Sequence, residues 1–356
     1  MDMSHITYIK KNKNFWKNKK VLVTGHTGFK GSWLVIIMKF LGAEVYGLSL
    51  KPEQNSLFKI ANLNKYVDSS FGDLKNYVST KKKIEAIKPD YIFHFAAQSL
   101  VSVAHKNPRK TLMNNYEITL NMLDIFQEIK TIKSILITTT DKVYKDQGDK
   151  KYKENDILQG HEAYSVSKVA TEHIIDFYRD KVSQENNQRK IFTARSGNVI
   201  GGGDWSKDRI IPDVINAWRK NKNLNLRNPN FNRPWMHVLD TLFGYITLIM
   251  QVSIKKNNYI YNFGPKKSTK FFTVLDLVKY AKSTFKEFGY ILRTTKTFYE
   301  TKNLFLESNL AKRNLSYQQK WDINKSLEFT LNWYKKYYSG EDPVNLCKRD
   351  IQSYLS

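Results

Sequence analysis

The sequence predicts an α/β fold, a doubly wound parallel sheet with helices on both faces and a smaller C-terminal substrate-binding lobe. Three observations carry this. Strand-length apolar runs alternate with helix-length segments between residues 19 and 201, and such alternation requires crossover helices and parallel strands. Glycines at 25, 28 and 31 stand where the first strand meets the first helix. Beyond about Gly203 the alternation fades, Trp, Pro, Arg and Asn become frequent, and strands and helices resume only weakly.

The elements follow in order. "KKVLVTG" reads as the first strand, and "GSWLVIIMKFLGA" has helical length with Gly42 as its stop. "EVYGLSL" is the second strand. "KKKIEAIKPDYIFHFAA" is a helix end, a proline break and a buried strand. In "PRKTLMNNYEITLNMLDIFQEI", Leu112, Tyr116, Leu120 and Leu123 fall at helical spacing. "KSILITTT" is a strand, "YSVSKVATEHIIDFYRD" a helix and "KIFTARSGNVIG" another strand. "YIYNFGP" and two late helices follow. The expected division is a dinucleotide-binding domain over 1–200 with a returning segment at about 234–264. Residues 201–233 and 265–356 then form the lobe, set to hold a ligand over the sheet's carboxyl edge.

Composition narrows the class. Of 356 residues, 41% are apolar and 13% aromatic, enough for a large core. The formal charge of +25 comes from 58 Lys and Arg against 33 Asp and Glu. These bases are spread along the chain, densest at 10–20 and 81–83, so they read as solvated faces rather than a nucleic-acid surface. The excess would still attract a small anionic substrate. One cysteine, Cys347, excludes an internal disulfide and suggests a reducing compartment. The longest apolar run, 33–38, is too short to span a bilayer, and no signal-peptide core opens the chain. A cytoplasmic protein is expected, with no membrane partner and no metal.

The glycines have separable tasks. Gly25 lets the chain turn, Gly28 lets backbone approach a pyrophosphate, and Gly31 lets helix and strand pack closely. Their place between strand and helix makes this a dinucleotide turn. An acid about 20 residues on would hold the ribose of NAD. Here stand Ser49, Leu50 and Lys51, so this strand does not separate NAD from NADP. Asp73 in "GDL" follows another short strand and sits either near the adenine or in a solvated loop.

"AYSVSK" puts Tyr164 and Lys168 four apart, on one face of a helix start. A tyrosine of pKa about 10 is a poor base until neighbouring positive charge favours its phenolate. Thr140, 24 residues earlier, can hydrogen-bond the same substrate hydroxyl. It ends "ILITTTDKVY", where Asp141 and Lys142 place an acid and a base side by side at a strand's carboxyl end.

These residues resemble the extended short-chain dehydrogenase/reductase family, and within it the nucleotide-sugar 4,6-dehydratases acting on CDP-glucose. The carrying segments are "VTGHTGFKGSWL", "FHFAAQSLV", "TTTDKVY", "KENDILQGHEAYSVSK", "ARSGNVIGGGDWSKDRIIPD", "LRNPNFNRPWMHVLD" and "YNFGP", from 23 to 265. The resemblance implies a Rossmann-type sheet, NAD as cofactor and a nucleotide-sugar substrate. It implies C4 oxidation with Tyr164 as base, water loss across C5 and C6, and return of the hydride to C6. Asp141 is then the acid at C6. Lys142, where dTDP-glucose relatives carry glutamate, is either a neutral base or a stabiliser of enolate charge.

The resemblance also implies cofactor contacts at Gly25, Thr27, Gly28, Phe29, Lys30 and Gly31. Asp73, Leu74, Ala96, Ala97, Tyr164 and Lys168 join them, with Asn115 either at the site or orienting a helix. On the substrate side it implies Gln98, Ser99 and His161. Asn198, Arg209, Arg227 and Arg233 would meet the diphosphate, and His161 and His237 would meet the substrate either as proton carriers or as polar wall residues. A homodimer through the helices over 109–129 and 164–180 is expected, or a tetramer. Surface carbohydrate synthesis would be its setting. Relatives read "AAQPLV" and then a basic and aromatic pair. This chain reads "AAQSLVSVAH", with Ser99 and then Val103, Ala104 and His105, which leaves the hexose open. An epimerase of the superfamily would have no use for Asp141, and an idle nucleotide sensor none for Thr140, Tyr164 and Lys168.

Overall fold

The structure, a computed structural model, describes residues 3–185, 189–251, 259–266, 272–293 and 301–356. The chain begins with α1 (His5–Lys11), β1 (Lys20–Thr24), α2 (Phe29–Phe40), β2 (Glu44–Ser49), α3 (Leu57–Ile60) and β3 (Asp68–Phe71). There follow α4 (Tyr77–Ile87), β4 (Tyr91–His94), α5 (Val101–Lys106), α6 (Pro108–Glu128), β5 (Ser134–Thr138), β6 (Lys151–Tyr152), α7 (Ala163–Gln184) and β7 (Lys190–Ser196). The later chain forms β8 (Val199–Ile200), α8 (Ile210–Arg219), β9 (Asn223–Arg227), β10 (Met236–His237), α9 (Val238–Met250) and β11 (Ile260–Phe263). It closes with α10 (Val274–Thr284), β12 (Gly289–Arg293), β13 (Phe305–Leu306), α11 (Asn309–Leu315), α12 (Ile323–Tyr338) and α13 (Pro343–Leu355).

Seven strands form one parallel sheet in the order β11-β7-β5-β4-β1-β2-β3. The order reverses between β1 and β4, which opens a crevice at their carboxyl ends. Thr24 is level with His94, and Thr138 with Ala194, so these strands deliver their last residues to one rim. The pleat divides the core. In β5, Leu136 packs with α2 and α9 on one face, while Ile135 and Ile137 pack with α6 and α7 on the other. Each such side chain, fully buried, contributes about 1.5–3 kcal/mol. Pro108 occupies the first turn of α6, where its missing N–H costs nothing, and Glu162 and Ser165 cap α7 reciprocally.

The later chain is interleaved with the sheet. β8 pairs with β10, and β9 pairs with β12 in a separate parallel ribbon. Between these, α9 is buried along its whole length and β11 joins the edge of the main sheet beside β7. The two late helices return as well, α13 against α2 and α12 against β10. Among the described residues no helix is long and apolar enough to cross a membrane.

Asp350 of α13 is buried, among the described residues neither of its carboxylate oxygens is hydrogen-bonded, and Arg349 Nη2 lies 3.6 Å from Oδ1. Burial pushes its pKa up to about 7, against the pull of Arg349. The folded chain therefore holds a proton that the unfolded chain releases above about pH 4, and stability falls as pH rises towards 7. Asp350→Asn should gain about 1 kcal/mol over wild type at pH 8, and the gain should vanish at acid pH. Denaturant melts at the two pH values check this.

Candidate active site

The first wall of the crevice is the glycine turn. Gly25 has φ +72°, and a Cβ there would stand 2.8 Å from the Ala96 nitrogen. At Gly31 it would lie 2.2 Å from the Gly25 carbonyl oxygen. Gly28, the N-cap of α2, is exposed, and the nearest atom to a Cβ there would be 3.4 Å away. Two glycines thus close the turn and the third leaves its outer face open, a cradle that fits a pyrophosphate. Thr27 Oγ1 meets Ser49 Oγ at 2.9 Å and donates to the Leu50 carbonyl at 3.3 Å. Phe29 lies under Gly201. Past β3, Asp73 is exposed and its Oδ1 accepts from Lys75 N at 3.0 Å, while Leu74 is buried.

Lys30, predicted with this turn, reaches inward. Its Nζ lies 6.0 Å from the ring centres of Phe95 and Tyr245. Burial lowers its pKa to about 7; Arg209 and Lys168 lower it further and Asp141 opposes. Lys30 therefore shares the electrostatic environment of the residues after β5.

Those residues explain the adjacent acid and base. The chain does not stay extended after β5 but makes one tight helical turn at Asp141–Val143, with Thr140 as its N-cap. Thr140 Oγ1 accepts from Lys142 N at 3.3 Å and donates to Asp141 Oδ1 at 3.0 Å. Asp141 turns inward and is buried, while Lys142 is half-buried. Among the described residues Asp141 Oδ2 has no hydrogen-bond partner. The space beside it exists because residue 197 is glycine: a Cβ there would come 2.9 Å from Oδ2 and 2.2 Å from Pro234 Cγ. Burial raises the Asp141 pKa, against Lys142, Thr140 and Arg233. A raised pKa favours the protonated form that a general acid needs.

Tyr164 enters from the first turn of α7, where Glu162 Oε2 accepts from its backbone N–H at 2.7 Å. Burial pushes its phenol up to about 12, with the Thr140 hydrogen bond and Arg209 acting the other way. Lys168 Nζ donates to the Thr138 carbonyl at 3.0 Å. Burial lowers its pKa to about 8, and Glu172 raises it. The predicted four-residue couple is present, but the partners differ: Thr140 and Arg209 act on the phenol, and Lys168 is tied to the strand end.

Of the remaining predicted residues, some meet and some do not. Asn115 Oδ1 accepts from Gln98 N at 2.8 Å, and its Nδ2 donates to the Gln98 carbonyl and Ser167 Oγ, both at 2.9 Å. Its amide thus ties the 96–99 loop to α7. Ala96 and Ala97 lie half-buried in that loop. Arg209 spans the crevice mouth, with Nη2 3.4 Å from Ser99 Oγ and Nη1 3.3 Å from Asp204 Oδ2. Arg227 lies 3.8 Å from Asp208. Asn198 is half-buried, and its carbonyl accepts from Met236 N at 3.0 Å. Arg233 is buried and donates to the Asn232, Thr301 and Lys302 carbonyls. His161 is exposed, its Nε2 accepting from Asp146 N at 3.4 Å.

His237 corrects the sequence reading. It is fully buried, edge-on to Trp33 and tilted against Trp321, and its Nδ1 accepts from Leu239 N as the cap of α9. Its motif position gives no hint of this depth. Sequence reasoning passed over Glu172, Arg195 and Gly197. Glu172 lies one turn beyond Lys168, a spacing that could have drawn notice.

Residues 22–330 match the family described as GDP-mannose 4,6 dehydratase. The chain is 33% identical to a CDP-glucose 4,6-dehydratase of Salmonella typhimurium over 97% of its own length and 98% of that protein. Its fold matches a Methanothermobacter thermautotrophicus epimerase with a TM-score of 0.81 at 21% identity, covering 94% of this chain and 97% of that one. It also matches the dTDP-glucose 4,6-dehydratase of Bacillus anthracis, solved with NAD, with a TM-score of 0.72 at 20% identity, covering 92% and 99%.

Proposed function

The chain belongs to the GDP-mannose 4,6 dehydratase family and is a nucleotide-sugar 4,6-dehydratase; from that premise we propose that it converts CDP-glucose to the 4-keto-6-deoxy sugar nucleotide. The observation that carries the dehydratase reading is Asp141, a buried carboxyl beside Thr140 and near Tyr164. An epimerase expels no hydroxyl and has no need of a held proton at this position. The choice of CDP-glucose rests on the Salmonella relative.

NAD is the cofactor in this reading, held by the glycine cradle from Gly25 to Gly31 with Asp73 and Leu74 beyond it, and it supplies a reversible hydride acceptor. The chain's own groups do the rest. Tyr164, as phenolate, takes the C4 hydroxyl proton while Thr140 holds the same hydroxyl. Positive charge from Arg209 favours that phenolate, and Lys168 stands one helical turn along α7. The 4-keto group acidifies C5, Lys142 as a free amine takes the C5 proton, Asp141 gives its proton to the departing C6 hydroxyl, and water leaves as the C5–C6 double bond forms. Arg209, Arg227 and Asn198 meet the diphosphate, since guanidinium pairs bidentately with phosphate. Arg233 braces the wall behind them, with Gln98 and Ser99 toward the sugar and His161 at the rim. His237 is left out because its ring is enclosed.

The protein acts as a homodimer in this reading. Met113 and Tyr116 on α6, and Val166 and Phe177 on α7, are at least 40% exposed and lie at helical spacing on paired helices, an apolar surface suited to a second copy. Deoxysugar supply for surface polysaccharide is the setting we infer. The test is incubation with CDP-, UDP-, GDP- and dTDP-glucose. Only CDP-glucose should give the alkali-absorbing 4-keto product, without net NADH. Inertness toward all four would overturn the reading.

A further inference from the structure

Lys168 lies deep in the core, and the acid that acts on it is one helical turn along α7, at Glu172. We propose that Glu172 is a positioning residue, whose carboxylate fixes the turn bearing Thr140, Asp141 and Lys142 and keeps Lys168 an ammonium. The proposal rests on the dehydratase reading.

Both carboxylate oxygens of Glu172 are engaged. Oε1 accepts from Thr139 Oγ1 at 2.6 Å and from Arg195 Nε at 2.8 Å, and Oε2 accepts from Arg195 Nη2 at 3.0 Å. Arg195 continues to Tyr144, donating to its hydroxyl at 2.8 Å and to the Glu154 carbonyl at 2.7 Å. Tyr144 in turn donates to Asn262 Oδ1 at 2.7 Å. Thr139 immediately precedes the catalytic turn and Tyr144 immediately follows it. One ion pair therefore clamps the turn at both ends and ties it to α7, β7 and β11.

The pair is buried, with side chains 1% and 2% exposed. A buried ion pair is seldom more stable than a well-packed apolar pair of equal volume, so stability alone does not account for it. Charge does. The Lys168 charge lowers the pKa of Lys30 on α2 and of His94 on β4. Among the described residues Glu172 is the acid whose charge raises the Lys168 pKa. Without Glu172 the ammonium loses its stabilisation in a dry site, and its proton is released at lower pH.

Two variants test this. Glu172→Gln removes the charge but strands Arg195 and can unfold the protein. Glu172→Gln/Arg195→Met removes both charges and keeps the packing. Lys168 is followed by NMR of 13C-labelled lysine side chains, assigned through Lys168→Arg. In the folded double variant Lys168 should titrate about 1 pH unit lower. Near pH 8, kcat should fall about tenfold with KM within about twofold, and the deficit should shrink as pH is lowered. A folded double variant whose Lys168 titrates as in wild type, or whose deficit is equal at every pH, overturns the proposal. If wild-type protein turns over no activated hexose, the dehydratase reading fails, while the lysine titration still decides the role of Glu172.

Discussion

Asp141→Asn should stop water loss while sparing C4 oxidation. The amide has the shape of the protonated acid and can still accept from Thr140 Oγ1, which now donates to Oδ1 at 3.0 Å. It cannot surrender a proton to a leaving hydroxyl. Loss of a general acid typically lowers turnover by about 10²–10⁴-fold. The unpartnered Oδ2 beside Gly197 is the position that loses this capacity. Substrate should be oxidised once and halt there, so nicotinamide absorbance should rise on the enzyme while no alkali-absorbing product forms. Normal turnover by this variant would remove Asp141 from the mechanism.

Tyr164→Phe should be as severe at an earlier step, lowering kcat/KM by about 10²–10⁴-fold. No reduced nicotinamide should accumulate, which separates the two variants. The pH dependence has a defined sign. The phenol is pushed up to about 12, so its phenolate fraction grows as pH rises. Lys168, lowered to about 8, loses its proton above that pH, and the site loses a positive charge one helical turn from the phenol. Wild-type turnover should therefore climb through neutrality and bend downward above about pH 8. Residual activity of the Phe variant should lack the rising limb. A full pH profile of each, with equal amounts of folded protein, checks this.

Much of the framework was legible because its physics is local. Strands buried on both faces must be apolar throughout, so the runs at 19–25, 133–140 and 190–201 announced themselves. The glycine turn needs small residues at fixed steps, and Tyr164 and Lys168 share a helix face by arithmetic alone. Depth and distant pairing were not legible. His237 stands in a motif that reads as a polar wall, yet it caps a core helix between two tryptophans. Glu172 and Arg195 lie 23 residues apart, and nothing local joins them. The ribbon of β9 and β12 unites distant segments. Lys30 belongs to the cofactor turn by sequence and to the catalytic surroundings by reach.

The interleaving of the later chain has a mechanical consequence. Strands β9 and β12 are partners, yet between them the backbone travels back to build α9 and the outermost strand of the main sheet. The part carrying Arg209 and Arg227 is thus moored to the sheet by separate crossings, not hung from one flexible link. It cannot swing away as a single-hinged flap. Admission of a sugar nucleotide must come from small coordinated rocking of the mooring segments, or from side chains at the mouth swinging aside.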